Sequence, residues 1–172
     1  IDITGYTPPL NISNIVFGLG PRINAAGRMD DANQAVKMLI SENVDAAKNG
    51  ADVLQEKNVD RKEVDKMITA DALDILATDP LTPGRVSTVL RSSNWHKGVI
   101  GIVASRLLDH YYRPTIMLAE KDGMLFGSAR SVKNFDIYEA IKACSDLLEQ
   151  FGGHMYAAGL SMRQENFEAF RD

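Results

Sequence analysis

From residue 45 to residue 77 the chain runs without proline, and its only glycine there is Gly50. Ala47, Ala51, Leu54, Val64, Ile68, Ala72 and Ile75 recur close to the helical period, which predicts one long helix. At about 1.5 Å per residue it would span roughly 50 Å. Its middle, residues 55–66, is strongly charged. The pattern therefore predicts a connecting rod, thinly covered at its centre, whose charges are a solvated face and not a binding patch. Asp79-Pro80-Leu81-Thr82-Pro83-Gly84 stops the helix and marks a boundary.

Beyond that boundary the period changes. Residues 86–90 read as a strand, and the polar loop 92–97 leads into a helix carrying Val99, Ile100, Val103, Leu107 and Leu108. On that helix Gly98, Gly101 and Ala104 would allow close approach to a sheet. A second strand, 114–120, is continuously apolar over Thr115-Ile116-Met117-Leu118 and so reads as central. Lys121-Asp122-Gly123 signals a hairpin into a strand over 124–131. A helix over about 136–150, a Gly-Gly-His turn, a strand near 160–162 and a last helix from 165 complete the pattern. Strands alternating with helices predict an α/β domain with a mixed sheet.

The segment before the long helix is helical but slight. Residues 1–11 hold Gly5, Pro8 and Pro9 and read as loop. Ser13 or Asn14 would cap a short helix through Ile15, Val16, Phe17 and Leu19, broken at Gly20-Pro21. Asp30 and Asp31, ahead of Ala32-Ala35-Val36-Leu39-Ile40, read as helix caps rather than metal ligands. The expected architecture is thus α/β: a C-terminal mixed-sheet domain joined by a long connector helix to a small helical N-terminal part.

Composition adds exclusions. The chain has 172 residues, 45% hydrophobic and 24% charged, with a net charge of -4. No global basic field advertises nucleic acid, so any such binding needs a local patch. One cysteine, Cys144, cannot form an internal disulfide, which fits a reducing cytoplasm. No apolar run reaches the length of a membrane span. The chain opens on Ile1 without an initiator methionine and ends at Asp172 inside an expected helix, so it reads as an excised fragment.

Candidate chemistry concentrates in the last third. On a strand, Ser128 and Arg130 share a face, a hydroxyl beside a guanidinium fork suited to phosphate oxygens. Small Gly127 and Ala129 take the other face. Gly152 and Gly153 let backbone approach a ligand, and a helical turn over 154–158 would aim free N–H groups at an anion. His154 could donate from the same spot, although Gly-Gly-His alone also suits a plain turn with a solvent histidine. If residues 22–28 are helical, Asn24 and Arg28 share a face; the plain alternative is a small-residue helix packed on a neighbour. His96 opens a helix and is a secondary candidate. His110, late in a helix, suits a surface role. The three histidines show no metal-ligand spacing, and no Walker loop, zinc pattern or Ser-His-Asp order appears.

Gly127-Ser128-Ala129-Arg130-Ser131 followed by Phe151-Gly152-Gly153-His154-Met155-Tyr156-Ala157-Ala158-Gly159-Leu160 resembles the DHH-associated domain of the DHH phosphoesterases. His96-Lys97-Gly98-Val99-Ile100-Gly101-Ile102-Val103-Ala104-Ser105-Arg106-Leu107 resembles the start of that domain in the family's single-strand-specific DNA exonucleases. Gly20-Pro21-Arg22-Ile23-Asn24-Ala25-Ala26-Gly27-Arg28-Met29-Asp30 resembles the segment closing their catalytic domain.

The resemblance implies a remnant of the catalytic domain at 1–44, a connector at 45–79 and a substrate-binding domain at 80–172. It implies phosphate contacts from Ser128, Arg130, Gly152, Gly153 and His154, with Asn24 and Arg28 bordering the cleft between the two parts. It also implies a parent that removes nucleotides from the 5′ end of single-stranded DNA, using Mn2+ or Mg2+. The Asp-His-His triplet that binds those ions is absent here, so no metal and no catalytic residue is expected in this fragment. A further oligonucleotide-binding domain is expected to follow it in the parent. The partner expected is single-stranded DNA, with protein partners unassigned. The rival expectations are a nanoRNA or cyclic-dinucleotide phosphodiesterase of the same superfamily, or an RNA-binding appendage like that of alanyl-tRNA synthetase.

Overall fold

The computed structural model describes residues 2–172; Ile1, counted in the expected opening loop, lies outside the described residues. The chain divides into two compact units, Ile1–Val64 and Asp65–Asp172.

In the first unit Asn11, not Ser13 or Asn14, caps the opening helix α1 (Ile12–Asn14). The Asn11 and Asn14 side chains accept from each other's backbone N–H at 3.0 and 2.9 Å, a reciprocal cap. The chain then passes through a wider π-helical stretch, Ile15–Leu19, straight into α2 (Gly20–Met29). The expected break at Gly20-Pro21 does not occur. Pro21 falls in the first turn of α2, where its missing N–H costs least. Arg22 reinforces the junction, donating to the Gly18 carbonyl at 2.6 Å and to Gln55 Oε1 at 2.7 Å.

Ala25 and Ala26 are fully buried. Ala26 packs with Ala35 of α3 (Asn33–Leu39) and Leu54 of α4 (Val44–Thr78), with Ile23 and Met38 around them. The N-cap of α3 is Ala32, not Asp31, which lies one residue earlier and whose Oδ1 accepts from the Asn33 backbone N–H at 2.9 Å. Asp30 does not cap: it lies 3.5 Å from Lys57 Nζ and accepts from Gln34.

Helix α4 is continuous over 35 residues. Its middle is not thinly covered. Leu54, Asn58, Asp65, Ile68, Ala72 and Leu76 form a single buried stripe at spacings of three, four and seven. Counting apolar residues alone missed it, because Asn58 and Asp65 occupy two of the stripe's positions. In the second unit Asp65 meets Arg106 at 2.8 Å, and Asp71 accepts from the Trp95 indole at 2.6 Å.

The second unit is built on a five-stranded mixed sheet in the order β1-β2-β3-β5-β4. Its strands are β1 (Thr88–Ser92), β2 (Thr115–Lys121), β3 (Met124–Arg130), β4 (Gln150–His154) and β5 (Ala157–Arg163). β1 pairs parallel with β2 through the crossover helix α5 (Ile100–Tyr111), and all other pairs are antiparallel. β2 is interior but not central; β3 is. Asp122 and Gly123 both take positive φ, as a two-residue hairpin requires.

One sheet face carries the core. Leu118, Leu125, Ala129, Leu160 and Met162 pack there against Ile137 and Ile141 of α6 (Ile137–Ala143) and Phe167 and Phe170 of α7 (Phe167–Arg171). Asp136 caps α6 through the Tyr138 and Glu139 amides. The helix ends at Ala143, well short of the expected 150, because Ser145 and Asp146 favour a turn over helix interior. Half-buried Cys144 packs beside this core.

Because the Asp65 side chain is only 2% exposed, its ion pair with Arg106 should carry more weight than the other pairs. Arg106 itself is 54% exposed, which discounts the gain. Replacing Arg106 by alanine should cost about 1–3 kcal/mol in chemical denaturation. Adding Asp65→Asn to Arg106→Ala should cost less than the sum of the single changes.

Candidate phosphate-binding face

Sheet pairing brings together residues that the sequence keeps apart. Arg130 of β3 stands opposite Ala157 of β5, which stands opposite His154 of β4. One step along, Ser128 faces Gly159, which faces Gly152. Directly paired residues share a face, so Ser128, Arg130, Gly152 and His154 all belong to the face opposite the α6–α7 core. Arg130 and His154 sit two strands apart, so their backbones are about 10 Å from each other. Between them lies a floor of Gly152, Ala157 and Gly159.

That floor is open. A β-carbon on Gly152 would meet nothing within 4 Å, and one on Gly159 would meet only the Gly127 carbonyl at 3.9 Å. Gly152, His154 and Gly159 are exposed. The absence of side chains leaves backbone accessible to a ligand between a guanidinium on one side and an imidazole on the other.

Arg130 is held in place. Its Nη1 donates to Ser128 Oγ at 2.9 Å and to the Ala129 carbonyl at 2.7 Å. The first turn of α5 presses against both residues: a β-carbon on Gly101 would stand 2.7 Å from Ser128 Oγ and 2.9 Å from Arg130 Nη2. Gly101 is therefore the close-approach residue anticipated on this helix, and it brings the helix's positive end near the same spot. On the opposite face Gly127 is equally tight, its hypothetical β-carbon 2.8 Å from Leu160 and 2.9 Å from Leu118.

Gly152-Gly153-His154 is not a turn and does not open a helix. It is the end of an edge strand, and the turn falls at Met155-Tyr156. Two glycines depress strand propensity, but pairing with the long β5 overrides it. The two glycines also differ. Gly153 has φ +152°, and a β-carbon there would strike the Ala157 carbonyl and sit 2.5 Å from Ala158 Cα. Gly153 is required by backbone packing, whereas Gly152 is the one that opens onto the floor.

His154 Nδ1 accepts from the Tyr156 backbone N–H at 3.3 Å. That leaves Nε2 to carry the proton and donate outward. His96 is arranged alike, its Nδ1 accepting from Gly98 at 3.1 Å, while its carbonyl accepts from Val99 and Ile100 to start α5. Next to it, Lys97 Nζ lies 5.7 Å from the centre of the Phe126 ring. Phe126 is on the same sheet face as Ser128. His110 is exposed in the last turn of α5, edge-on to Tyr111.

Asn24 and Arg28 belong to the first unit, where both are exposed on one side of α2, away from buried Ala25 and Ala26. Among the described residues no group of three or more His, Cys, Asp or Glu side chains is placed to hold a metal ion. Among the described residues, too, no helix is long and apolar enough to cross a membrane.

Comparison with known proteins identifies relatives of this fold. The DHHA1 domain family matches residues 83–172. The single-stranded-DNA-specific exonuclease RecJ of Bacillus subtilis is 36% identical over 163 residues, covering 94% of this chain and 20% of that protein. RecJ of Escherichia coli is 37% identical over 172 residues, covering 94% and 29%. The crystal structure of RecJ from Thermus thermophilus in complex with Mg2+ superposes with a TM-score of 0.85 at 32% identity, over 98% of this chain and 26% of that one. A structure of exonuclease RecJ bound to manganese gives 0.81 at 32%, over 98% and 41%. The chain thus spans about a fifth to a third of the curated relatives it matches. With its five-stranded mixed sheet, its long helix and its matched residues, this chain belongs to the DHHA1 domain family.

Proposed function

We propose that the chain is the substrate-gripping part of an exonuclease that degrades single-stranded DNA from the 5′ end, acting in recombination and repair in the cytoplasm. The observation that carries this reading is the open floor of Gly152, Ala157 and Gly159, flanked by Ser128 and Arg130 on one side and His154 on the other. Hydroxyl, guanidinium and imidazole Nε2–H all donate, so the ligand they suit is an anion with several acceptor oxygens. A DNA phosphate answers that description. The names of the relatives support the substrate class.

Asn24 and Arg28 contribute a second set of donors from α2, and His96 is a lesser contributor at the start of α5. The hydrolytic step belongs to a metal-bearing catalytic domain of a longer parent protein, which would use Mn2+ or Mg2+. In that division of labour the part of this chain is to bind and orient the strand. With Mn2+ and 5′-labelled single-stranded DNA, the chain alone should release no mononucleotides; metal-dependent release by clean protein would contradict this division of labour.

Arg130→Ala should weaken single-stranded DNA binding by about 1.5–3 kcal/mol, the worth of a hydrogen bond to a charged group, with melting temperature little changed. His154→Ala should also weaken binding, and His154→Gln, which keeps an outward donor, should be milder. Unaltered affinity in Arg130→Ala, alongside unaltered melting, would show that the guanidinium only decorates the sheet.

The two glycines should separate cleanly. Gly153→Ala should lower stability by about 1–3 kcal/mol, because its β-carbon enters the β4–β5 backbone at a φ that L side chains rarely adopt. Gly152→Ala should leave stability unchanged and reduce DNA affinity by filling the floor. Melting curves and binding isotherms on both variants distinguish the two roles.

A further inference from the structure

Tyr156 lies at the lip of this face, and only its backbone, not its side chain, enters the contacts assigned so far. It follows the His154 end of the floor, its ring 6.4 Å from the His154 ring in an edge-to-face arrangement. The side chain is half exposed, at 50%. The backbone beneath it is fixed from three sides. The Tyr156 N–H donates to His154 Nδ1, its carbonyl accepts from Ser131 at 3.0 Å, and the Met155 carbonyl accepts from Ile137 at 3.1 Å. The Met155-Tyr156 turn is thereby tied to the loop after β3 and to the first residue of α6. A large aromatic ring on a pinned turn is an unusual thing to leave in water, and the anchoring sets its position before any ligand arrives.

A nucleotide joins a phosphate to a flat base. With the phosphate on the floor between Arg130 and His154, the base must leave toward one rim. The Tyr156 rim offers a ring face, while the α5 rim is filled by Gly101 packed on Ser128 and Arg130. Resting on the phosphate-binding reading above, we propose that Tyr156 is a nucleobase-stacking platform, the base-binding half of a nucleotide subsite whose phosphate-binding half is Arg130, Gly152 and His154. Stacking on a tyrosine tolerates any base, because each has a π-face, so this subsite grips unpaired strands without reading sequence. It also favours a single strand over a duplex, where bases are already stacked on each other.

The test compares two probes: oligothymidylate, and an abasic oligomer of the same length and phosphate count. Tyr156→Ala and Tyr156→Leu should each lose on the order of tenfold or more in affinity for oligothymidylate. Tyr156→Phe, which keeps the ring, should bind within about twofold of the parent sequence. On the abasic oligomer all four proteins should bind alike, because no base is present to stack. His154→Ala should weaken binding to both probes, since it acts on phosphate. If Tyr156→Ala binds oligothymidylate normally while His154→Ala does not, the stacking proposal is overturned and the phosphate site stands. If neither change alters affinity for either probe, the phosphate site itself is wrong. Equal losses on both probes in Tyr156→Ala would also overturn stacking, by showing that the residue only supports His154.

Discussion

The register of three antiparallel strands, β3, β5 and β4, is the constraint on which the rest of this domain depends. Side chains alternate strictly along a strand, so a slip of one residue would exchange the two faces. Leu125 and Ala129 on β3 and Ala158, Leu160 and Met162 on β5 are buried against α6 and α7. Burying a leucine or methionine stabilises by about 1.5–3 kcal/mol, so exposing this set is prohibitive for a domain of ordinary stability. The core thereby fixes the register, and the register delivers Ser128, Arg130, Gly152 and His154 to the far face. None of those four residues needs to pack well for the site to exist. Their placement is inherited from the apolar residues behind them.

Coverage of that far face is uneven, and the unevenness makes the site. Ile100, Gly101, Val103, Ala104 and Leu107 are buried on α5, which packs against β2 and β3. The β5–β4 side keeps its outward row of Gly159, Gly152 and His154 exposed. The boundary between covered and open sheet falls at Ser128 and Arg130, where Gly101 brings the helix end down onto them. Trp95, buried in the loop ahead of α5, donates to Asp71, and Arg106 further along the helix meets Asp65. These two bonds tie both the approach to α5 and its body to α4, so the positions of His96, Lys97 and Gly101 are set by polar contacts as well as by packing.

Much of this was legible in the sequence, and the failures have physical causes. Alternation alone placed Ser128 and Arg130 on one face, because a period of two needs no knowledge of partners. The Asp122-Gly123 hairpin followed from turn chemistry, and the long helix from the apolar period of residues 45–77. The failures came from strand pairing and from burial that breaks the apolar count. Gly152-Gly153-His154 carries no strand propensity of its own and becomes a strand only because β5 offers an edge. The end of α6 was missed because Leu147, Leu148 and Phe151 continue the apolar series and pack on the same core from outside a helix. The covered middle of α4 was missed because Asn58 and Asp65 are polar residues in buried positions, and a count of apolar residues passes over them. The difference between Gly152 and Gly153, and the nearness of Tyr156 to His154, are properties of the β4–β5 hairpin that no spacing rule contains.

The acidic balance of the chain takes on meaning in this setting. With a net charge of -4, the molecule as a whole repels a polyanion, and the Debye length near 8 Å in physiological salt limits attraction to charges close at hand. Several cations are committed to carboxylates: Arg106 to Asp65, Arg85 to Asp79, Arg171 to Glu168, Arg163 to Glu149 and Lys142 to Glu139. For the last two, the carboxylate's hydrogen bond and charge raise the basic group's pKa and hold it charged. Such pairs add little to the field that an approaching strand feels. On the candidate face, the bonds of Arg130 to the Ser128 hydroxyl and the Ala129 carbonyl orient its guanidinium. A ligand held on this face is therefore gripped by a few placed donors rather than drawn by a field. Such a grip acts only on a strand already delivered to the face, and it rewards a flexible single strand that can lay one phosphate on the floor over a stiff duplex that cannot.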